Sequence, residues 1–391
     1  MLFKSLRAAV LGITVCIAAQ VSFLGYEPSH HEGVAQAAFP ELRILEDTLE
    51  ALRVMQVEYF QPWLGMWPTA IDWTGAVMGS HVSGALQSLS QGLELVRLAA
   101  GEEDYRVKEN LVTLYFSQLI GYYFGQDAFA LRNQAYDDML WVVLGWLDTT
   151  QFIDLHTALR YGSDPTGRSS IPGPNGEIPT FLRNQSWHGN IWIPAFAHRA
   201  RIFWELAAKG WDDKTCGGGM TWNPRLGIYK NAITNELFIS ASIAMYLHFP
   251  GDANTSPYGG VFPVGVPSPG GVDDEGWNAH DPRFLDAAVK GYAWLKSSGM
   301  TNHQGLYVDG FHVSGRNNTT NCDLRNEMVY TYNQGVILSG LLGLFKVKMS
   351  RGLNRDVLHA FSTWIYLDRL KPWMEILPRP SILRGTSCPY V

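Results

Sequence analysis

Residues 135–147 read AYDDMLWVVLGWL, and the reading of this stretch decides the fold. It follows the polar run Arg132-Asn133-Gln134, carries the adjacent carboxylates Asp137 and Asp138, and turns apolar from Met139 to Leu147. A polar start that leads into an apolar run marks a helix N-terminus, where acidic residues meet the positive end of the helix dipole. The helical pattern recurs outward from here. Leu42, Leu45, Leu49, Leu52 and Met55 repeat at three- and four-residue steps, and Val82, Leu86, Leu89, Leu93 and Val96 do the same. These place helices over Leu42–Phe60 and His81–Ala100. Further helices are predicted over Arg106–Phe124, Tyr136–Leu147, Trp187–Lys209, Asn231–Phe249, Pro282–Ser298 and Glu327–Phe345.

Clusters of Gly, Pro, Asn and Asp separate them at 161–179, 217–227, 250–281 and 302–321. Strand signals are scarce, and neither a composition shift nor a linker divides the chain. The expectation is one all-α domain of paired helices. A strict ankyrin- or TPR-type repeat is absent, so a closed double ring of helices fits better, with its loops gathered at one end. The loops 161–179 and 250–281 exceed the roughly 12–15 residues of inert connections and would shape a cleft at the mouth of the ring.

The composition excludes some partners. Charged residues are 17% of the 391, the net charge is -6 and there is no basic cluster, which argues against nucleic acid. Aromatic residues are 13%, with 14 Trp and 17 Tyr; most fill a core, and some can stack on the apolar faces of sugars. Lys4 and Arg7 precede the apolar run Ala8 to Ala19, and small residues follow at Ala18-Ala19 and Ala35-Gln36-Ala37. Residues 1–37 are therefore read as a secretory signal, an uncleaved anchor being the alternative. No second stretch is long and apolar enough to span a membrane. With Cys16 in the signal, Cys216, Cys322 and Cys388 leave one pair and one thiol, and Cys216–Cys322 is the expected pair. Sequons at Asn184, Asn254, Asn317 and Asn318 fit secretion by a eukaryote. His30-His31 is read as solvated. CxxC and HExxH patterns are absent, and neither a cofactor nor a metal is expected.

Two carboxyl groups about 5–5.5 Å apart are what retaining glycoside hydrolysis requires, and neighbouring residues at a helix start can meet that separation. On spacing alone capping is the simpler explanation of such a pair, and Asp212-Asp213 and Asp273-Asp274 are further examples in this chain. Other polar clusters share the ambiguity. Cys216-Gly217-Gly218-Gly219-Met220-Thr221-Trp222 is a glycine turn that lacks the GK[ST] ending of a phosphate loop. Lys230-Asn231-Ala232-Ile233-Thr234-Asn235-Glu236 opens a helix, with Asn231 and Asn235 on one face; the pair either caps neighbouring loops or binds hydroxyls. Tyr332-Asn333-Gln334-Gly335 opens another. In a ring of alternating helices, these polar starts can converge on one mouth.

Taken together, Tyr136-Asp137-Asp138-Met139-Leu140-Trp141, the glycine turn with Tyr229 to Leu237, and Thr331-Tyr332-Asn333-Gln334-Gly335 resemble glycoside hydrolase family 76, the α-1,6-mannanase family. Ala197 to Phe203 and Met245-Tyr246-Leu247 look like its fungal branch. The resemblance covers about Leu42 to Leu344. It implies an (α/α)6 barrel of six helical hairpins and hydrolysis of α-1,6-linked mannose with retention, by a secreted or cell-wall enzyme acting as a monomer on mannan or mannosylated wall glycoprotein. Asp137 matches the nucleophile and Asp138 the general acid/base. Trp222, Tyr229 and Tyr332 are candidates to stack on mannose. Lys230, Asn231, Asn235, Glu236, Asn333 and Gln334 are candidates to bind its hydroxyls or to hold the groups behind the site.

After Leu344 the pattern fades. The catalytic domain is therefore set at 38–345, and 346–391 is read as an atypical tail, truncated or misread, with the last hairpin incomplete; nothing in it looks like the lipid-anchor signal of membrane-associated relatives, membrane association being the alternative to a secreted or cell-wall protein. Two other functions share the resemblance: a cell-wall transglycosidase using the same carboxylates, and an inactive mannan-binding protein.

Overall fold

The computed structural model describes residues 40–70, 72–161, 187–254, 277–314 and 322–350. Eight long helices lie among them: α1 Pro40–Val54, α2 Asp72–Ala100, α3 Glu102–Gly125, α4 Tyr136–Arg160, α5 Ile193–Ala208, α6 Ala232–His248, α7 Pro282–Ser297 and α8 Thr331–Ser350. All eight predicted helices are present, with shifted ends. The second begins at Asp72 rather than His81, because Trp73 to Met78 pack inward although they break the leucine spacing. The fourth runs on to Arg160, where polar residues such as His156 are buried by pairing: its Nδ1 lies 2.8 Å from Ser90 Oγ.

The helices form two layers. An inner row runs α2, α4, α6, α8, each packed on the next. An outer layer covers it, with α1 and α3 on α2, α5 on α4 and α7 on α6. The inner helices are parallel and in step. Trp73 stacks on Trp141 at 6.1 Å, Ser83 Oγ lies 2.9 Å from Thr149 Oγ1, and Ser90 meets His156, so α2 and α4 rise together. Ser240 donates to Val336 O at 2.9 Å, and Gly340 and Gly343 sit against Ser240 and Ile243, so α6 and α8 do likewise. Four hairpins of the expected helical barrel are thus described, all with their inner-helix N-termini at one end. Among the described residues, no comparable packing joins α8 back to α2.

The core fills the space between the layers. Leu86, Leu89 and Leu93 of α2, Phe116 of α3, Leu140 and Leu147 of α4, Phe196 of α5 and Leu237 of α6 are fully buried there. Each such side chain contributes about 1.5–3 kcal/mol relative to exposure. Helix α6 is apolar nearly all round and is accordingly buried on every side from Ala232 to Ile243.

Three short strands escaped the sequence reading: β1 Tyr229–Asn231, β2 Gly310–His312 and β3 Leu324–Asn326. They form an antiparallel sheet in the order β1-β2-β3, with Tyr229 opposite His312 and Gly310 opposite Asn326. At three residues each they carry no alternation to read, and their pairing is made by distant segments. The sheet leads directly into the N-terminus of α6. No helix of the described residues is long and apolar enough to cross a membrane. The signal at 1–37 with Cys16 and His30-His31, most of both long loops, Asp273-Asp274, Cys388 and the tail beyond 350 lie outside the described residues, as do Asn184, Asn317 and Asn318.

Candidate active site

Asp137 and Asp138 occupy the first turn of α4, at the mouth end of the inner row. The N-cap residue is Ala135, whose side chain cannot cap. Other groups satisfy this helix start. The Tyr136 N–H donates to Trp222 O at 2.9 Å, and the Asp138 N–H donates to Asp137 Oδ1 at 3.1 Å. The helix therefore begins against the glycine-turn segment, and Gly210 lets it come close: a Cβ there would lie 2.5 Å from Cδ2 of Tyr136. Asp137 is buried and Asp138 half-buried.

Burial pushes the Asp137 carboxyl up to about 7, and the neighbouring Asp138 charge acts in the same direction. The N–H groups of Asp138 and Asp137 and the Thr234 hydroxyl of α6 pull it back. Two carboxyls this close resist joint ionisation, so the raised value belongs to the loss of the last proton from the pair. Below about 7 the pair carries one proton, which gives it one acid and one carboxylate. If Asp138 holds that proton, its repulsion of Asp137 vanishes, and burial remains as the main force raising Asp137, opposed by the two N–H groups and Thr234.

The glycine turn is fixed from beneath. Lys230 is fully buried, and its Nζ donates to Gly219 O at 2.7 Å and Asp212 O at 3.0 Å while pairing with Asp212 Oδ2 at 3.2 Å. Burial pulls its pKa down, and Asp212 opposes that. The Asn235 amide binds the Met220 backbone at both ends, at 2.7 and 3.1 Å, and also donates to Asn231 O at 2.8 Å. Cys216 is bonded to Cys322, as expected, which ties the turn to the segment before β3. Gln334 clasps the Tyr307 backbone in the same fashion, at 2.8 and 3.0 Å. Lys230, Asn235 and Gln334 thus hold backbone behind the mouth.

Asn231, Glu236 and Asn333 are placed differently. Asn231 is the N-cap of α6, yet its side chain makes no capping bond, and its Oδ1 is buried without a partner within the protein. Both polar atoms of the Asn333 amide are likewise buried without a protein partner. Such groups are costly unless something answers them. The Glu236 carboxyl is fully buried one turn into α6, and its charge bears on Tyr332.

Of the aromatic candidates, Trp222 and Tyr332 reach the surface, whereas Tyr229, expected to stack on a sugar, is buried behind Trp222. Trp222 meets Tyr229 edge-on at 6.3 Å. Tyr332 is 45% exposed and stacks on Tyr330 at 5.2 Å. Its hydroxyl is pushed up to about 12 by burial, then by the charges of Asp309, Tyr330, Asp137 and Glu236. Asn254 is exposed, and its amide donates to Asp252 Oδ1 at 2.7 Å. A cavity of about 400 Å³ lined by Pro250, Asp252 and Trp277 opens at the other end of α6, away from the pair. Among the described residues no group of three His, Cys, Asp or Glu side chains could hold a metal.

Sequence reasoning missed Thr234, Asp309, Asn326 and His312. Asp309 accepts the Tyr229 hydroxyl and, at 2.8 Å, the Asn326 amide, while the His312 ring stacks on Tyr229 at 4.0 Å. The turn Val308-Asp309-Gly310 was the available signal, but nothing in it indicates the partner 80 residues away.

Residues 278–352 match the sequence profile of glycosyl hydrolase family 76. A curated relative, the mannan endo-1,6-alpha-mannosidase DCW1 of Candida glabrata, is 23% identical over 252 residues, 59% of this chain. The match spans 44% of that relative, so the chain covers under half of its length. Among solved structures, an inactive variant of the α-1,6-mannanase GH76A of Salegentibacter sp. HEL1_6 in complex with α-1,6-mannotetrose is 16% identical, over 87% of this chain and 72% of that one, with a TM-score of 0.45. The GH76 α-mannanase BT2949 of Bacteroides thetaiotaomicron is 13% identical, over 88% and 72%, with a TM-score of 0.43. The resemblance read from the sequence is to the same family whose profile matches here, and the matched stretch lies C-terminal to the carboxylate pair.

Proposed function

We propose that this protein is a secreted retaining glycosidase of family 76 that hydrolyses α-1,6-mannosidic linkages in mannan. One observation carries the reading: a coupled carboxylate pair, Asp137 and Asp138, sits at the N-terminus of an inner helix, in a mouth rimmed by aromatic rings and backed by buried, unanswered amides.

The chemistry follows from the one-proton state of the pair. Protonated Asp138 gives its proton to the glycosidic oxygen as the C1–O bond breaks, and ionised Asp137 attacks C1 to form a mannosyl-enzyme ester. Asp138, now a carboxylate, takes a proton from water as that water attacks C1 and releases Asp137. Trp222 and Tyr332 supply flat faces for the sugar ring, and the buried Tyr229 backs Trp222. Asn231 Oδ1 accepts, and the Asn333 amide both accepts and donates, from sugar hydroxyls seated against them. Lys230, Asn235 and Gln334 keep the loops that bear these groups in place.

Product analysis on unbranched α-1,6-mannan tests the proposal. Release of reducing mannooligosaccharides with retained anomeric configuration is expected, and Asp137→Asn and Asp138→Asn should each nearly abolish it. Turnover surviving in both variants sinks the assignment. Transfer to an added sugar acceptor in preference to water replaces hydrolysis with transglycosylation.

A further inference from the structure

The three strands at the mouth converge on one carboxylate that the proposed chemistry leaves unused. Asp309 immediately precedes β2. Its Oδ2 accepts from the Tyr229 hydroxyl of β1 and from the Asn326 amide of β3, and the same amide reaches the Tyr229 oxygen at 3.3 Å. Its backbone is fixed as well: Ala232 N–H donates to Asp309 O at 2.8 Å, and Asp309 N–H donates to Met328 O at 2.7 Å. Asp309 thus joins all three strands to the first residue of α6, two residues from Thr234 beside Asp137.

Tyr229 needs this anchoring. Its ring lies between the His312 face at 4.0 Å and the Trp222 edge at 6.3 Å, and these contacts alone let it slide in its own plane. A bond at the hydroxyl tip removes that freedom. Hydrogen bonds to a charged acceptor are about twice as strong as neutral ones. The Trp222 backbone also accepts from Tyr136, so the position of the Trp222–Tyr229 wall is coupled to the helix that carries the carboxylates.

We infer that Asp309 is a positioning residue, which through Tyr229 and Asn326 fixes the aromatic wall that the sugar rests on beside Asp137. The inference rests on the mannanase reading for the identity of the sugar. Because Asp309 acts on binding rather than on bond cleavage, its removal weakens substrate affinity and spares the chemical step.

The test is a double-mutant cycle on the full chain with α-1,6-mannotetraose. Asp309→Ala and Tyr229→Phe should each raise KM about tenfold and change kcat less than threefold. The double variant should be no worse than either single one, because both remove the same contact. Asp309→Asn, which keeps an acceptor oxygen, should recover most of the loss. Additive losses, or a loss confined to kcat, overturn the inference. If the wild type neither binds nor cleaves the oligosaccharide, the mannanase reading fails. The same cycle read by urea unfolding then still decides the contact: coupled losses uphold the anchoring of Tyr229 by Asp309, and independent ones overturn it.

Discussion

Asp137→Asn should abolish turnover and make the protein more stable, by an amount that grows with pH. The carboxyl has an ordinary value of 3.8 and is pushed up to about 7 in the fold, chiefly by burial. Below 3.8 it is neutral in both folded and unfolded chains and has no effect. Between 3.8 and about 7 the unfolded chain is ionised while the folded one retains its proton, so stability falls as pH rises. Above 7 both are ionised and the penalty is constant, at about 4 kcal/mol given 1.36 kcal/mol per pKa unit. At pH 5 it is only about 2 kcal/mol by the same relation. The asparagine pays none of it. The stability difference between variant and wild type should therefore widen by about 2–3 kcal/mol from pH 5 to pH 8. Taking the difference across pH cancels whatever contacts the new amide gains or loses. Urea unfolding of both proteins at the two pH values measures it. A gap that stays flat with pH refutes the account of Asp137 as a carboxylate held in a desolvated site against its charge.

The same ionisation sets the rate profile. Catalysis needs one proton on the pair, so kcat/KM should fall as pH rises through about 7, where the last proton leaves; a profile flat to pH 9 contradicts this. Lys230→Met leaves the Gly219 and Asp212 carbonyls without their buried donor. It should lower stability by about 3 kcal/mol, the low end for breaking a buried pair because Asp212 can reach water, as urea unfolding would show. Replacing Cys216 and Cys322 by serine opens a link across 106 residues. That should lower stability by about 2–4 kcal/mol, measured under non-reducing conditions, with no change if the bridge does not form.

The helices were legible because each carries its own periodicity, and the outer helices, wet on one face, show it most clearly. Their ends were less so. Ala76 in the first turns of α2, and Thr149, His156 and Arg160 in the last turns of α4, are buried by partners on other helices, such as Ser83 on Thr149 and Ser90 on His156, and local pattern does not report those. The candidate residues were also legible as polar groups at helix starts, but their division of labour was not. Asn231 and Asn235 share a face and a residue type. One amide is bound to the Met220 backbone, while the other keeps a buried, unpartnered oxygen. That difference depends on the path of the glycine turn, which is set by Lys230, the Cys216–Cys322 bridge and the left-handed Gly219, whose missing Cβ would meet Trp294 at 2.5 Å. Asp309 was invisible for the same reason: its partners lie 80 and 17 residues away.

The mouth poses a competition that magnitudes decide. Three parallel inner helices, α4, α6 and α8, present their N-termini there, and each positive helix end favours a nearby anion by about 0.3–1 kcal/mol, rising to about 2 in partly buried geometries. Two backbone N–H groups and the Thr234 hydroxyl add to this. Acting alone, these groups would hold Asp137 below its ordinary value and leave the pair doubly ionised at neutral pH, without an acid. Burial and the second carboxylate oppose them, and the net upward shift shows that they prevail. Opening the site to water while removing the repulsion of Asp138 would reverse the balance. The carboxylates would then both ionise, and the pair would lose its proton.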